Sequence, residues 1–168
     1  MSKIGVIYGS STGTTEDVAR RIAAKVGVAN ADLHDVSKLT EELLDNYGVL
    51  LLGTATWGSG ELQDDWYDGV KILKKHGLAG KTVALFGCGD SGSYPDTFCG
   101  GMGELYAELK DTGARFVGAT PVDGYEFDDS PAVVDGQFVG LPLDEANEYD
   151  KTDARIDAWY EQVKGELN

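Results

Sequence analysis

Two kinds of hydrophobic pattern alternate along the chain. Ile4-Gly5-Val6-Ile7-Tyr8 is a continuous apolar run closed by Gly9, which predicts a buried strand. Residues 14–26 follow a helical rhythm. Val18, Ala19, Ile22, Ala23 and Val26 share one face and Arg20, Arg21 and Lys25 the other, with Glu16 and Asp17 in the first turn, where the helix dipole favours acids. The same reading predicts a weak strand over 30–36, a short helix over 40–46, a strand over 49–53 and a helix over 64–75 that buries Trp66, Val70, Ile72 and Leu73. Further along it predicts a strand over 82–87, a helix over 102–112 stopped by Gly113 as its C′ glycine, a strand over 115–118 and a closing helix over 152–167.

The strands are apolar throughout rather than at every second residue. Such strands are covered on both faces, as in a parallel sheet with helices on either side. The expected fold class is therefore α/β: a three-layer, doubly wound sheet of five parallel strands in a single domain over 1–168. Residues 119–138, with Pro121, Gly124, Pro131 and Gly136, break the alternation and read as an insertion ahead of the short run Phe138-Val139-Gly140-Leu141.

Composition narrows the picture. The 168 residues are 42% hydrophobic and 10% aromatic, enough for a core that needs no disulfide or metal. The longest purely apolar runs, without Gly or Tyr, are four residues, such as Val49-Leu50-Leu51-Leu52, where a membrane span needs about 18. The start, Met1-Ser2-Lys3-Ile4, has no apolar leader, so the expected setting is the cytoplasm. Cys88 and Cys99 are expected to be semi-buried thiols, and His34 and His76 plain surface residues. No metal site is expected.

Charge adds more. The net charge is −15, which disfavours nucleic acid and anionic membrane and favours a basic partner. It is also unevenly placed. Residues 54–69, 88–109 and 116–150 together hold 17 acids and no Lys or Arg, while the rest of the chain has 12 acids against 14 bases. One strongly acidic face is expected.

Ligands of open α/β sheets bind at the carboxyl ends of the strands, beside the point where strand order reverses. Three predicted strand ends carry unusual residues. Gly9-Ser10-Ser11-Thr12-Gly13-Thr14-Thr15 joins the first strand to its helix and sets five hydroxyls around a glycine at a helix N-terminus, the arrangement of a phosphate site. It is not a Walker loop, because no Lys follows the glycine. Hydroxyls and amides without cations suit a permanently held monophosphate. The second loop, Gly53-Thr54-Ala55-Thr56-Trp57-Gly58-Ser59-Gly60-Glu61-Leu62, offers an aromatic face at Trp57. The third, Gly87-Cys88-Gly89-Asp90-Ser91-Gly92-Ser93-Tyr94-Pro95, offers Tyr94. Its G-x-G-x-x-G match follows the wrong strand and opens no helix, so it is no dinucleotide fingerprint. Two aromatic loops flanking a phosphate loop point to a flat ring clamped between them.

These segments resemble flavodoxins: Ser10 to Glu16, Thr56 to Trp66, and Gly87-Cys88-Gly89-Asp90 with Tyr94. The tail, with Gly124-Tyr125-Glu126-Phe127, Leu143-Asp144-Glu145 and Thr152 to Ile156, resembles the long-chain subclass. The resemblance covers essentially the whole chain and implies strand order 2-1-3-4-5, the fifth strand interrupted by the insertion, with one noncovalent FMN. It assigns the phosphate to Ser10, Ser11, Thr12, Gly13, Thr14 and Thr15, the stacking faces to Trp57 and Tyr94, and contacts to the 56–60 loop at Thr56, Gly58 and Gly60, with the Gly58 carbonyl meeting flavin N5 in the reduced states. It assigns the pyrimidine edge to Cys88, Gly89, Asp90 and the Phe98-Cys99 backbone. Ala55 stands where a Pro is common, and Ser91-Gly92-Ser93 and Thr97 replace bulkier or amide residues.

The implied function is low-potential, one-electron carriage without substrate turnover of its own. The implied partners are basic redox proteins, such as a flavodoxin or ferredoxin reductase or a low-potential oxidoreductase, docking on a monomer. An FMN-dependent NAD(P)H:quinone reductase is the alternative on the same fold. A phospho-receiver domain would need acids where Gly9-Ser10 and Gly53-Thr54 stand, and a dehydrogenase would rest on the Gly87 match alone.

Overall fold

The computed structural model describes residues 3–10, 13–57 and 61–167, with the Trp57 side chain left out. In chain order the elements are β1 (Ile4–Gly9), α1 (Thr14–Val26), β2 (Leu33–Asp35), α2 (Glu41–Leu44), β3 (Val49–Trp57), β4 (Glu61–Leu62), α3 (Trp66–His76), β5 (Thr82–Cys88), α4 (Gly100–Leu109), β6 (Arg115–Val117), β7 (Thr120–Pro121), β8 (Val133–Val134), β9 (Gln137–Phe138), β10 (Leu141–Leu143) and α5 (Thr152–Val163).

The principal sheet is parallel and runs β2-β1-β3-β5-β10, the expected order once its five main strands are counted. Alternate residues of each strand serve opposite faces. Leu50 and Leu52 of β3 pack with Ile7, Val83 and Leu85 against Trp66, Leu73, Met102 and Leu105 of α3 and α4. Val49 and Leu51 pack with Val6, Ala84 and Phe86 against Val18, Ile22, Ile156 and Trp159 of α1 and α5. Two buried faces explain the unbroken apolar runs.

The fifth strand is split. β6 pairs with Thr82–Ala84 at the start of β5, and β10 pairs with Phe86–Cys88 at its end. The intervening chain forms a small antiparallel sheet, β7-β9-β8. Its aromatics anchor it: Phe127 and Phe138 lie 5.8 and 6.0 Å from the Phe98 ring, and the Tyr125 hydroxyl donates to the Pro142 carbonyl at 2.9 Å.

Several boundaries differ from expectation. β3 runs four residues past Gly53, because Thr56 and Trp57 pair antiparallel with Leu62 and Glu61 of β4. The weak strand shrinks to three residues between 3-10 turns. The fourth helix starts at Gly100, after a left-handed Cys99 (φ 52°), and ends at Leu109. Gly113 is therefore not its C′ residue. The Thr112 hydroxyl instead donates to the Leu109 carbonyl at 2.6 Å, and Gly113 (φ 91°) turns the chain into β6. The closing helix ends at Val163 in a 3-10 turn.

The lone-residue readings also need correction. Cys88 and Cys99 are fully buried, not semi-buried. His34 meets the Tyr47 hydroxyl at 2.7 Å, and that hydroxyl donates to Asp32 at 2.9 Å. Burial, first, and the Asp32 bond raise the Tyr47 hydroxyl to about 12. His76 meets the Asp45 carboxylate and the Gly77 carbonyl, both at 2.8 Å, and the Asp45 bond raises its pKa. Neither histidine is a bare surface residue. Among the described residues no helix is long and apolar enough to cross a membrane, and no His, Cys, Asp and Glu cluster suits a metal.

Candidate functional site

Parallel strands end on one edge of the sheet, so Gly9, Trp57, Cys88 and Leu143 all deliver their following loops there. The chain leaves β1 for β2 on one side and returns to β3 on the other, which makes the β1/β3 boundary the switch point. A cavity of about 380 Å³ opens at this edge, lined by Thr14, Thr15, Ala55, Thr56, Cys88, Gly89, Asp90, Tyr94, Thr97, Glu145 and Ala146. A larger depression of about 590 Å³ between the insertion and α5 shares none of these residues and lies away from the loops that follow β1, β3 and β5. The chemistry places the site at the smaller one.

One end of the cavity is the start of α1. The Gly13 N–H donates to Ser10 Oγ at 3.1 Å and closes the loop on itself. Gly13 has φ 92°, a left-handed conformation that glycine adopts without strain, and it faces open space. Thr15 is 1% exposed, yet its hydroxyl has no hydrogen-bond partner among the described residues. It interacts with the nearby Cys88 thiol, but not at hydrogen-bond geometry. A buried hydroxyl left unpaired costs free energy, so this one is poised for a missing acceptor.

The other end is the loop after β5. The Tyr94 N–H donates to the Asp90 carbonyl at 2.8 Å, which presents Tyr94 with 46% of its surface exposed. The Asp90 carboxylate accepts from the Ser93 N–H at 3.0 Å and the Asn147 amide at 2.7 Å. The Asn147 bond, foremost, holds its pKa below the usual carboxylate range. Burial pushes the Cys88 thiol up to about 12, so it stays neutral. The floor between the ends is the tip of β3. Thr56 Oγ1 accepts from the Gly101 N–H at 3.1 Å, and the Trp66 indole donates to the Gly53 carbonyl at 2.8 Å, fixing both sides of the β3–α3 turn.

No Lys or Arg lines the cavity among the described residues. The cations of α1 are engaged elsewhere: Arg20 with Glu16 at 2.8 Å, Arg21 with Asp153 at 2.6 Å and Glu145 at 3.0 Å, and Lys25 with Asp157 at 3.1 Å. Among the described residues Glu61, Asp64, Asp65 and Asp90 form no ion pair with Lys, Arg or His.

The expected residues therefore converge in part. Thr14, Thr15, Thr56, Cys88, Gly89, Asp90 and Tyr94 line one cavity, with Ser10 and Gly13 in the loop beside it. Ser11, Thr12, Gly58 and Gly60 lie outside the described residues, as does the Trp57 side chain. The Phe98 and Cys99 side chains do not line the cavity, and the contact expected of this pair is through its backbone, which passes beside Gly89. The Phe98 ring is buried in the aromatic cluster of the insertion, its carbonyl accepts from the Ser130 hydroxyl, and Cys99 is sealed beneath β5. Thr97 takes the lining position instead. Glu145 and Ala146 were not foreseen. They follow the last strand, and the same strand-end rule applied to Leu143-Asp144-Glu145 would have found them.

A family profile described as Flavodoxin matches residues 6–159. The chain is 45% identical to Flavodoxin 1 of Azotobacter vinelandii, covering 99% of this chain and 98% of that protein. It is 41% identical to Flavodoxin 1 of Salmonella typhimurium, covering 100% and 96%. Among solved structures, Fusobacterium nucleatum flavodoxin bound to flavin mononucleotide superposes with a TM-score of 0.90 at 32% identity, covering the whole of both chains.

Proposed function

The chain belongs to the flavodoxin family, and on that premise we propose that it holds one FMN noncovalently at the strand-end cavity and carries electrons between other redox proteins. The single observation that carries this reading is the Thr15 hydroxyl, buried at the N-terminus of α1 and without a hydrogen-bond partner among the described residues. The fit is chemical. A phosphate brings acceptors to a place that offers orphan donors, a helix N-terminus and no competing cation. When bound, FMN supplies the redox chemistry, taking up and releasing one or two electrons.

The protein's own residues bind, orient and bias. Ser10, Gly13, Thr14 and Thr15, with Ser11 and Thr12, hold the phosphate end through hydroxyls and amides. Tyr94 and Trp57 are the aromatic faces for the ring, and Asp90, Gly89 and Thr97 form its far edge. Glu61, Asp64, Asp65 and Asp90 raise the cost of added negative charge, which favours a low potential. The same acids draw a basic partner to the exposed edge. In this reading the protein is a cytoplasmic, monomeric carrier with no substrate turnover of its own.

The test is direct. The purified protein should be yellow and release one flavin per chain on acid treatment, identified as FMN. The isolated holoprotein should not turn over NAD(P)H with a quinone acceptor. A colourless protein, or release of FAD, rejects the cofactor assignment, and steady NAD(P)H oxidation rejects the carrier role in favour of the reductase.

A further inference from the structure

Asp144 is a fully buried carboxylate just outside the cavity, and among the described residues it forms no ion pair. Every partner it has is a donor. Its Oδ2 accepts from the Ser91 N–H at 3.2 Å and the Ser91 hydroxyl at 2.5 Å. Its Oδ1 accepts from the Asn147 N–H at 3.0 Å and side-chain amide at 3.1 Å. That amide also reaches Asp90 at 2.7 Å. The loop after β5 and the loop after β10 are thus joined through one side chain, across more than fifty residues of sequence. The two loops also approach closely: a Cβ on Gly92 would lie 2.6 Å from Asn147 Oδ1, and the Gly89 N–H donates to the Leu143 carbonyl at 2.9 Å.

Burying a carboxylate is costly unless donors replace its water. Two of these donors are backbone N–H groups, so Ser91 and Asn147 are held by their main chains and not only by their side chains. The loop so held carries Asp90 and Tyr94, the outer wall of the cavity. The same joint sets Glu145 and Ala146 at the cavity's rim.

We propose that Asp144 is a positioning residue for the flavin ring. It fixes the Asp90–Tyr94 loop against the cavity through Ser91 and Asn147, while touching nothing bound there. This rests on the FMN reading above. It predicts that loss of Asp144 weakens hold on the ring and leaves hold on the phosphate intact.

The experiment compares Asp144→Asn and Ser91→Ala with wild type and with Val163→Ala, a core truncation at the far end of α5. Asp144→Asn turns one acceptor into an amide facing donors, and Ser91→Ala removes a single arm of the joint. Each full-length chain is titrated with FMN and with riboflavin, its thermal unfolding is recorded, and bound-flavin fluorescence is read at saturation. Asp144→Asn should weaken both flavins by the same factor, about tenfold, and raise bound-flavin fluorescence because Tyr94 no longer sits firmly on the ring. Ser91→Ala should do the same to a lesser degree. Val163→Ala should lower the melting temperature with neither change.

A folded Asp144→Asn protein that binds both flavins as wild type does overturns the proposal, as does a loss confined to FMN or a fluorescence rise equally large in Val163→Ala. If Asp144→Asn does not fold, Ser91→Ala decides by the same criteria. Wild-type protein that takes up neither flavin overturns the FMN reading and this inference together, whereas wild-type uptake with unaltered variants overturns this inference alone.

Discussion

The two ends of the site are built in different ways. The end we assign to the phosphate is a single stretch of sequence, Ser10 to Thr15, in which the Gly13 N–H donates to Ser10 Oγ at 3.1 Å and α1 follows directly. The ring end is assembled from segments far apart in sequence: the tip of β3, the loop after β5 and the loop after β10, joined at Asp144. The first end is electrically quiet, with neutral hydroxyls and amides and the α1 arginines tied to Glu16, Glu145 and Asp153. The second is acidic. A dianionic group needs donors that do not compete with it, and consecutive backbone amides at a helix start supply them locally. A flat ring has two faces and an edge, and no short segment can surround all three.

The largest effect expected from this contrast is at the phosphate end. Thr15→Val keeps the buried shape and removes the unpaired hydroxyl. Hydrogen bonds to charged groups are worth about 1.5–3 kcal/mol, so FMN affinity should fall roughly ten- to hundredfold while riboflavin affinity holds. Ser10→Ala should act in the same sense. Parallel titration with the two flavins reads the result, and equal losses would remove the distinction between the ends.

Next in size is a change that belongs to neither end. Gly53 lies under the Phe86 ring, and a Cβ there would stand 2.0 Å from it. Overpacking of a filled core costs about 1–3 kcal/mol. Gly53→Ala should lower the melting temperature by several degrees and weaken FMN and riboflavin to the same extent. A selective loss of FMN would mean that the core couples to the phosphate loop more tightly than to the ring.

The acidic ring end should matter for docking in a way the far surface does not. Reversing Glu61, Asp64 and Asp65 to Lys should slow electron transfer with a basic protein acceptor by up to about tenfold at low salt, and the difference should shrink once charges are screened over about 8 Å at physiological ionic strength. Reversal at Glu161 and Glu166 on the closing segment should have little effect. Stopped-flow rates across a salt series decide it, and matched losses at the two surfaces would assign the acids to solubility alone.

The smallest effect is in the acid limb of stability. Asp90 has its pKa depressed in the folded state, first by the Asn147 amide. A depressed carboxylate contributes stability above its unfolded pKa, and that contribution is lost as pH falls through the folded value. Asn147→Ala should therefore narrow the gap in stability between pH 7 and pH 3 by a fraction of a kcal/mol, since Asp90 is partly exposed. Denaturant unfolding at the two pH values measures it. An unchanged gap would show that the amide does not stabilise the charge.

Much of this was legible in the chain. The periodicities placed α1 at residues 14–26 as observed and located β1, β3, β5 and β6, because both signals are local and repeat within a few residues. The loop that opens α1 was legible for the same reason: strand, glycine, hydroxyls and helix follow one another without interruption. Elements defined by their partners were not legible. β4 exists only because Thr56 and Trp57 accept it across a turn, and Cys99 takes a left-handed conformation that no pattern around it announces.

Local patterning along the chain dictates the alternation of strands and helices, the parallel sheet they require and the position of the insertion. Long-range packing settles that the fifth strand resumes at Leu141–Leu143, that the Phe98 ring joins the aromatics of the insertion, and that Asp144 binds two loops into one wall. The division follows the range of the forces. Periodic burial and helix-end donors act between near neighbours, whereas a buried carboxylate is tolerable only where folding gathers enough donors around it, and nothing adjacent in the chain specifies that gathering.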